Sequence, residues 1–346
     1  MAREKIISSQ STGVEDEKFN VALRPETLEQ CIGLGLLREK LEISIQASKQ
    51  RGEPMEHVLL HGPPGLGKTT LAHVIASEME STIKVTSGPA LTRPSDLIGI
   101  LTNLESGDVL FIDEIHRLAR SVEEYIYPAM EDYKVDFVVD SGMHSRTINL
   151  PLKPFTLIGA TTRAGMLSPP LRTRFGITHH LEFWNPEDLT DRCRMSAEML
   201  ETDYDEKALQ KLARRARGTP RIANRLLRRC RDYAQVKADG KLTESVVDAA
   251  LKLEGIDQLG LDELDRRFLK VIIDTYNGGP VGIEAVAATL GEETDTLVDV
   301  VEPYLLQQGL LARTRRGRLV TIKAYEHLKI RKLPPSAGDG LFDEQQ

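Results

Sequence analysis

The chain has 346 residues, a net charge of −7, 40% hydrophobic and 28% charged residues, enough for two or three domains with ordinary cores. No apolar run reaches the length of a membrane span, the polar segment from Met1 to Val14 lacks the apolar stretch of an export signal, and Cys31, Cys193 and Cys230 match neither a disulfide framework nor a zinc site. A membrane-spanning or disulfide-stapled protein is excluded on this reading, and a reducing, cytoplasmic setting is expected.

Residues 1–20 read as a mobile leader. Helical spacing follows between Leu28 and Arg51, with apolar residues at Leu36, Leu37, Leu41 and Ile45. From His57 onward, short β-rich runs alternate with helical ones. The runs are His57–His61, Thr82–Thr86, Asp108–Ile112, Phe155–Ala160 and His180–Phe183. Strands separated by helices imply an α/β fold with a parallel sheet covered on both faces. Lys134–Asp140 and Ser145–Leu150, on either side of Ser141-Gly142, read as a β-hairpin inserted before the fourth strand. After Asn185-Pro186 the chain becomes helical, Ala- and Arg-rich, up to about Leu253. Three helices are then expected, at Leu261–Tyr276, Ile283–Leu290 and Thr294–Gln308, closed by two short strands around Arg315-Arg316-Gly317. That is the outline of a winged helix. The expected organisation is a sheet domain over 21–183 carrying hairpin 134–150, a helical domain over 184–255, a winged helix over 256–332, and a disordered tail over 333–346.

Gly62-Pro63-Pro64-Gly65-Leu66-Gly67-Lys68-Thr69 matches the phosphate-binding loop G-x-x-x-x-G-K-[ST]. Its context fits, since a buried strand precedes it and a helical pattern follows. Glycines let backbone N–H groups wrap a phosphate, and the helix N-terminus adds its positive dipole end. Lys68 would reach the β- and γ-phosphates of ATP, and the Thr69 hydroxyl would ligate Mg²⁺. Val109-Leu110-Phe111-Ile112 reads as a strand buried on both faces, with Asp113 and Glu114 at its C-terminal end, where such sheets place ligands. Asp113 would hold Mg²⁺, and Glu114 would polarise an attacking water. A third strand tip carries Thr161 and Thr162, either able to hydrogen-bond a γ-phosphate or water. Arg172, Arg174 and Arg221 are candidates for stabilising phosphoryl-transfer charge, a role that spacing alone cannot assign. His116, beside the catalytic strand, reads as a packing or supporting residue rather than a metal ligand.

Charge is uneven along the chain. Between Lys207 and Lys241 there are twelve Lys or Arg against Asp232 and Asp239, and between Leu311 and Lys323 five basic residues and no acid. The first run, including Arg214, Arg215, Arg225, Arg228 and Arg229, reads as a solvated face or a subunit contact. The second reads as a phosphate-binding wing, with salt-sensitive and weakly sequence-selective binding.

From about Phe19 to Leu328 the chain resembles the AAA+ ATPases, and within them the family of bacterial Holliday-junction branch-migration motors. The resemblance is carried by His61–Thr70, Leu110–Leu118, Tyr127–Tyr133, Leu157–Gly165, Leu171–Ile177, Ala216–Arg229, Gly278–Gly282 and Pro303–Gly309. It implies a P-loop (AAA+) domain, a helical lid and a C-terminal winged helix. It makes Thr161 or Thr162 sensor 1, Arg174 the arginine finger and Arg221 sensor 2. Leu23 and Arg24 correspond to the segment that packs on adenine. Gly62, Gly65, Gly67, Lys68, Thr69 and Thr70 form the loop itself, and Trp184 stands where the family usually has tyrosine near the nucleotide. Glu131, Asp132 and Tyr133 match a further nucleotide-contact segment. Arg313, Arg315, Arg316 and Arg318 correspond to the DNA-touching wing. The implied partners are duplex arms of a Holliday junction, the junction-binding protein RuvA through hairpin 134–150, RuvC, and copies of the chain itself in a hexameric ring.

Other readings share only parts of this pattern. Clamp-loader or origin-type ATPases usually lack the hairpin and the wing. A nucleotide-switched DNA-binding regulator would need neither Glu114 nor Arg174. A protein unfoldase would carry an aromatic pore loop, and no convincing one is present.

Overall fold

The structure is a computed structural model that describes residues 19–138 and 147–331. It forms two compact units, one of residues 19–196 with 218–221 and one of residues 197–217 with 222–331. Most of the expected leader and the expected tail from 333 lie outside the described residues. Within the leader, Phe19 and Asn20 are helical. No helix among the described residues is long and apolar enough to cross a membrane.

In the first unit the strands are β1 (Val58–His61), β2 (Ile83–Ser87), β3 (Val109–Asp113), β4 (Lys134–Val138), β5 (Thr147–Pro151), β6 (Thr156–Thr161) and β7 (Ile177–His180). Five of them make a parallel sheet in the order β2-β3-β6-β1-β7. Side chains alternate across a strand, so each apolar run feeds two cores. Leu59, Leu110, Ile112 and Leu157 join one, with Val122, Ile126 and Leu97 from the helices Arg120–Glu131 and Pro94–Leu101. Val58, Leu60, Val109, Phe111, Ile158 and Ala160 join the other, with Leu41 and Ile45 from the helix Leu36–Arg51 and Leu71 and Ile75 from the helix Lys68–Glu78. Two covered faces explain why these strands read as unbroken apolar runs.

The last strand is corrected by the structure. The apolar Leu181 and Phe183 favoured a strand at His180–Phe183, but β7 begins at Ile177, where it pairs with Val58 of β1. Among the described residues it is an edge strand with one neighbour, so alternate half-buried residues suffice there, and Thr178 and His180 are exposed. The inserted hairpin is present as a separate antiparallel pair of β4 and β5, in register Lys134↔Pro151 through Val138↔Thr147. Its expected turn, and Val139 with it, lies outside the described residues.

The second unit carries the helices Glu206–Arg215 and Glu244–Leu253 and the rest of Pro220–Lys237 after its first two residues. It continues with Glu263–Thr275 and Ile283–Leu290. Asp262 and Asp265 close the start of Glu263–Thr275 as a reciprocal capping box. The single helix expected over Thr294–Gln308 is instead broken into Thr294–Thr296, a π-turn at Leu297–Val301 and Glu302–Gln307. Pro303 has no N–H to give to the carbonyl four residues back, which accounts for the widened turn ahead of it. The wing is β8 (Leu311–Thr314) paired with β9 (Gly317–Val320), and Val281 bridges to Arg318 beside it. A last helix, Ile322–His327, was not assigned from sequence; it seats Ala324 and Tyr325 in the apolar core built on Phe268, Ile272 and Leu305.

Candidate active site

The P-loop sits between β1 and the helix Lys68–Glu78. Gly62 leaves β1 so close to the neighbouring chain that a Cβ there would lie 2.3 Å from the Leu181 carbonyl oxygen, so only glycine fits. Gly67, at φ 92°, turns the loop into the helix. Lys68 is 7% exposed, and its Nζ donates to the carbonyls of Gly62 and Pro63, both at 2.8 Å. Burial pulls its pKa from 10.5 down to about 8; Asp113 and Glu114 oppose the shift and Arg221 adds to it. Those four side chains therefore share one electrostatic neighbourhood, which sequence spacing alone could not establish.

Asp113 ends β3, and its Oδ1 accepts the N–H of Glu114 at 2.9 Å. Burial raises the Asp113 pKa, with the charge of Glu114 adding to the shift and the Glu114 N–H, Lys68 and Arg221 opposing it. The Asp113 carboxylate at the strand end and the Thr69 hydroxyl in the first turn of the helix Lys68–Glu78 are hard oxygen donors of the kind Mg²⁺ takes, so the residues fit the ion. Among the described residues there is no group of three or more His, Cys, Asp or Glu that would suit a different metal. Glu114 adopts φ 48°, a left-handed conformation that turns the chain sharply off the strand end. Its Oε2 accepts from Thr162 Oγ1 at 3.2 Å and lies 3.2 Å from His116 Nδ1.

The two threonines left open by sequence differ in surroundings. Thr161 is fully buried, 2.9 Å from His116 Nδ1, and accepts the Arg163 N–H. Thr162 is half-buried and bonded to Glu114. His116 thus touches both Thr161 and Glu114.

Arg221 approaches from the helix Pro220–Lys237, its N–H donating to the Gly65 carbonyl at 3.4 Å. Trp184 packs its ring against Gly33, where a Cβ would stand 3.0 Å from the indole, and its backbone N–H donates to the Gly218 carbonyl at 2.9 Å. Leu23 is buried and Arg24 half-buried, close enough to act on His73 of the P-loop helix. Arg192, buried, donates to the Leu23 carbonyl and fixes that segment; nothing in the sequence pattern singled it out.

Arg174, Glu131, Asp132 and Tyr133 are brought together with one another rather than with the P-loop. Arg174 Nη2 pairs with Glu131 at 3.0 Å. Met130, next to Glu131, accepts from His57, the residue that enters β1, whereas the P-loop leaves β1 at Gly62. Five strand residues at about 3.3 Å each separate the two places by roughly 16 Å. Asp132 pairs with Lys134 at 2.7 Å, and the Tyr133 ring meets Phe155 edge-on at 5.9 Å.

Three family models match this chain in succession: the Holliday junction DNA helicase RuvB P-loop domain over residues 23–181, the RuvB AAA lid domain over 184–257 and the RuvB C-terminal winged helix domain over 258–329. The chain belongs to the RuvB family of AAA+ ATPases. It is 54% identical over 328 residues to the Holliday junction branch migration complex subunit RuvB of Ligilactobacillus salivarius, covering 95% of this chain and 97% of that protein. The structure of the Thermotoga maritima RuvB Holliday junction branch migration motor superposes with a TM-score of 0.80 at 51% identity, over 89% of this chain and 98% of that one. A mutant of the same Thermotoga protein gives 0.81 at 51% identity, over 88% and 98%.

The RuvB-type wing departs from expectation at one residue. Arg313, Arg315 and Arg316 are exposed around the β8–β9 turn. Arg318 is buried, forked onto the carboxylate of Glu302, which is itself 2% exposed. A carboxylate that deep must be paired, and Arg318 is its partner, so this guanidinium is not offered to a phosphate. Arg217 is a second buried arginine that sequence reasoning missed. It pairs with Asp265, donates to the Gly260 carbonyl at 2.8 Å and lies 4.9 Å over the Tyr304 ring. It sat unmarked in a basic run, because one-dimensional charge counts do not separate paired from solvated arginines.

Proposed function

We propose that the chain is an ATP-driven DNA translocase for branch migration of Holliday junctions, working as a closed, hexameric ring with RuvA docked on hairpin 134–150 and with RuvC. The observation that carries the reading is the separation of Arg174 from its own P-loop across the depth of the sheet. A head-to-tail, heterologous interface repeated around a ring would put one subunit's Arg174, with Glu131, Asp132 and Tyr133, against the nucleotide of the next. Relatives named for the Holliday junction branch migration complex support the substrate.

Within one subunit the geometry supports the following roles. Gly62, Gly65, Gly67, Lys68 and Thr70 would hold the phosphates, while Leu23, Arg24 and Trp184 would flank the base. Thr69 and Asp113 would hold Mg²⁺, which neutralises charge on the phosphate oxygens when bound. Glu114, hydrogen-bonded by Thr162, would take the proton of the attacking water. Thr161 or Thr162 acts as sensor 1, and Arg221 as sensor 2. Arg313, Arg315 and Arg316 would meet DNA phosphates.

Lys68→Ala and Arg174→Ala should each be nearly inactive in ATP hydrolysis. Mixed in equal amounts, they should recover activity, since roughly a quarter of random head-to-tail interfaces carry both intact halves. No recovery in rings shown to be mixed would overturn the trans assignment. Hydrolysis unmoved by a four-way junction together with RuvA would overturn the assigned substrate.

A further inference from the structure

The arginine proposed to act on the neighbouring subunit is held by a small polar bracket in which Tyr127 and Glu123 carry none of the assigned roles. The Arg174 guanidinium carbon lies 4.5 Å from the centroid of the Tyr127 ring, which it overlies. Its Nη1 donates to the Pro170 carbonyl at 2.7 Å and its Nη2 meets Glu131 at 3.0 Å. A planar cation held by a π-face, a carbonyl and a carboxylate has its plane and direction set.

Tyr127 is itself held. Its phenol donates to Glu123 Oε1 at 2.5 Å. The Ser168 hydroxyl donates to the same oxygen and lies 3.2 Å from the phenol. Ser168 Oγ also accepts the Leu171 N–H at 3.2 Å, capping the short helix Pro169–Arg172 two residues before Arg174. One carboxylate oxygen thereby ties the helix Arg120–Glu131, which carries the ring, to the backbone that carries the arginine. Burial, and then Glu123, push the Tyr127 pKa up, so the phenol keeps the proton it donates. Glu123 and Tyr127 also spend hydrogen-bonding capacity at a half-buried surface position, where a purely structural contact would be served by apolar residues.

We propose that Tyr127 and Glu123 are positioning residues for phosphoryl transfer, presenting Arg174 across the subunit interface in a fixed orientation. The proposal rests on the reading of Arg174 as a trans-acting residue. Orientation acts on the transition state more than on ground-state binding, so losing it lowers kcat and leaves KM for ATP in place.

The test uses the full chain in its ring. Tyr127→Leu removes the π-face, Tyr127→Phe keeps it and removes only the phenol, and Glu123→Gln weakens the tie between the helices. Tyr127→Leu is expected to lower kcat about tenfold or more with KM within about twofold. Tyr127→Phe should restore most of kcat, and Glu123→Gln should fall between. Tyr127→Leu combined with Arg174→Ala should be no slower than Arg174→Ala alone. Equal mixing of Tyr127→Leu with Lys68→Ala should raise activity above that of either alone, because the intact Arg174 and Tyr127 of the second then face the intact Lys68 of the first. Wild-type kcat in Tyr127→Leu, with Arg174→Ala inactive, would overturn the positioning role and leave the arginine's role standing. Full activity in Arg174→Ala would overturn the parent reading instead. If Tyr127→Leu fails to fold, Tyr127→Phe and Glu123→Gln carry the test: unchanged kcat in both overturns the proposal.

Discussion

Nucleotide binding should be coupled to proton uptake by Lys68. The side chain is 7% exposed, and burial lowers its pKa from 10.5 to about 8, with Arg221 pushing the same way and Asp113 and Glu114 opposing. A triphosphate at Nζ favours the ammonium, so the proton lost above pH 8 must return on binding. With a free-state pKa of about 8, roughly nine-tenths of Lys68 is neutral at pH 9, and uptake approaches one proton. Apparent affinity then falls about tenfold per pH unit above 8, equivalent to about 1.4 kcal/mol each. Stability moves the other way. The unfolded chain keeps this proton to about pH 10.5 and the folded one only to about 8, so burial of the charged form destabilises the fold below pH 8. That cost, on the order of 3 kcal/mol from the 2.5-unit difference between 10.5 and 8, disappears as pH rises through that window. Calorimetric titration in buffers of different ionisation enthalpy measures the uptake directly. Lys68→Arg, which does not titrate there, should bind without it. A wild-type affinity flat from about pH 7.5 to 9.5, with no proton taken up, would refute the reasoning.

Glu114→Gln should bind ATP near normally while single-turnover hydrolysis drops on the order of a hundredfold or more, because the amide cannot accept the water's proton; near-normal turnover would remove Glu114 as the base. Reversing Arg313, Arg315 and Arg316 to Glu should weaken duplex binding and flatten its salt dependence with the unfolding temperature unchanged, whereas unchanged affinity and slope would free the wing of that duty. Arg318→Met should instead destabilise the winged-helix unit by about 3 to 5 kcal/mol in chemical denaturation, since it strands the buried carboxylate of Glu302; a variant as stable as wild type would show that the carboxylate is relieved otherwise. Ile148, 51% exposed on the inserted hairpin, should be a partner contact, so Ile148→Asp should abolish RuvA capture without lowering thermal stability; loss of folding would place it in the monomer's own core.

The P-loop, the acidic strand end and the alternation of strands and helices were legible in the sequence because each depends on short-range geometry. A glycine-rich turn between a buried strand and a helix can do little else than face a phosphate, and an apolar run ending in Asp113-Glu114 has to surface at the strand tip. Arrangements that depend on which distant segments meet were not legible. The start of β7 was set by its pairing with Val58, not by the apolar residues that follow it. The helix after Thr294 was interrupted ahead of Pro303, a local signal that periodicity overrode. Arg174 and Arg318 each stood in a motif-like stretch, yet one lies against Tyr127 and Glu131 and the other is consumed by Glu302. An arginine's spacing records that a charge exists. Only the tertiary structure decides whether a carboxylate buried from water has already claimed it, because desolvation is a property of the packed fold and not of the chain.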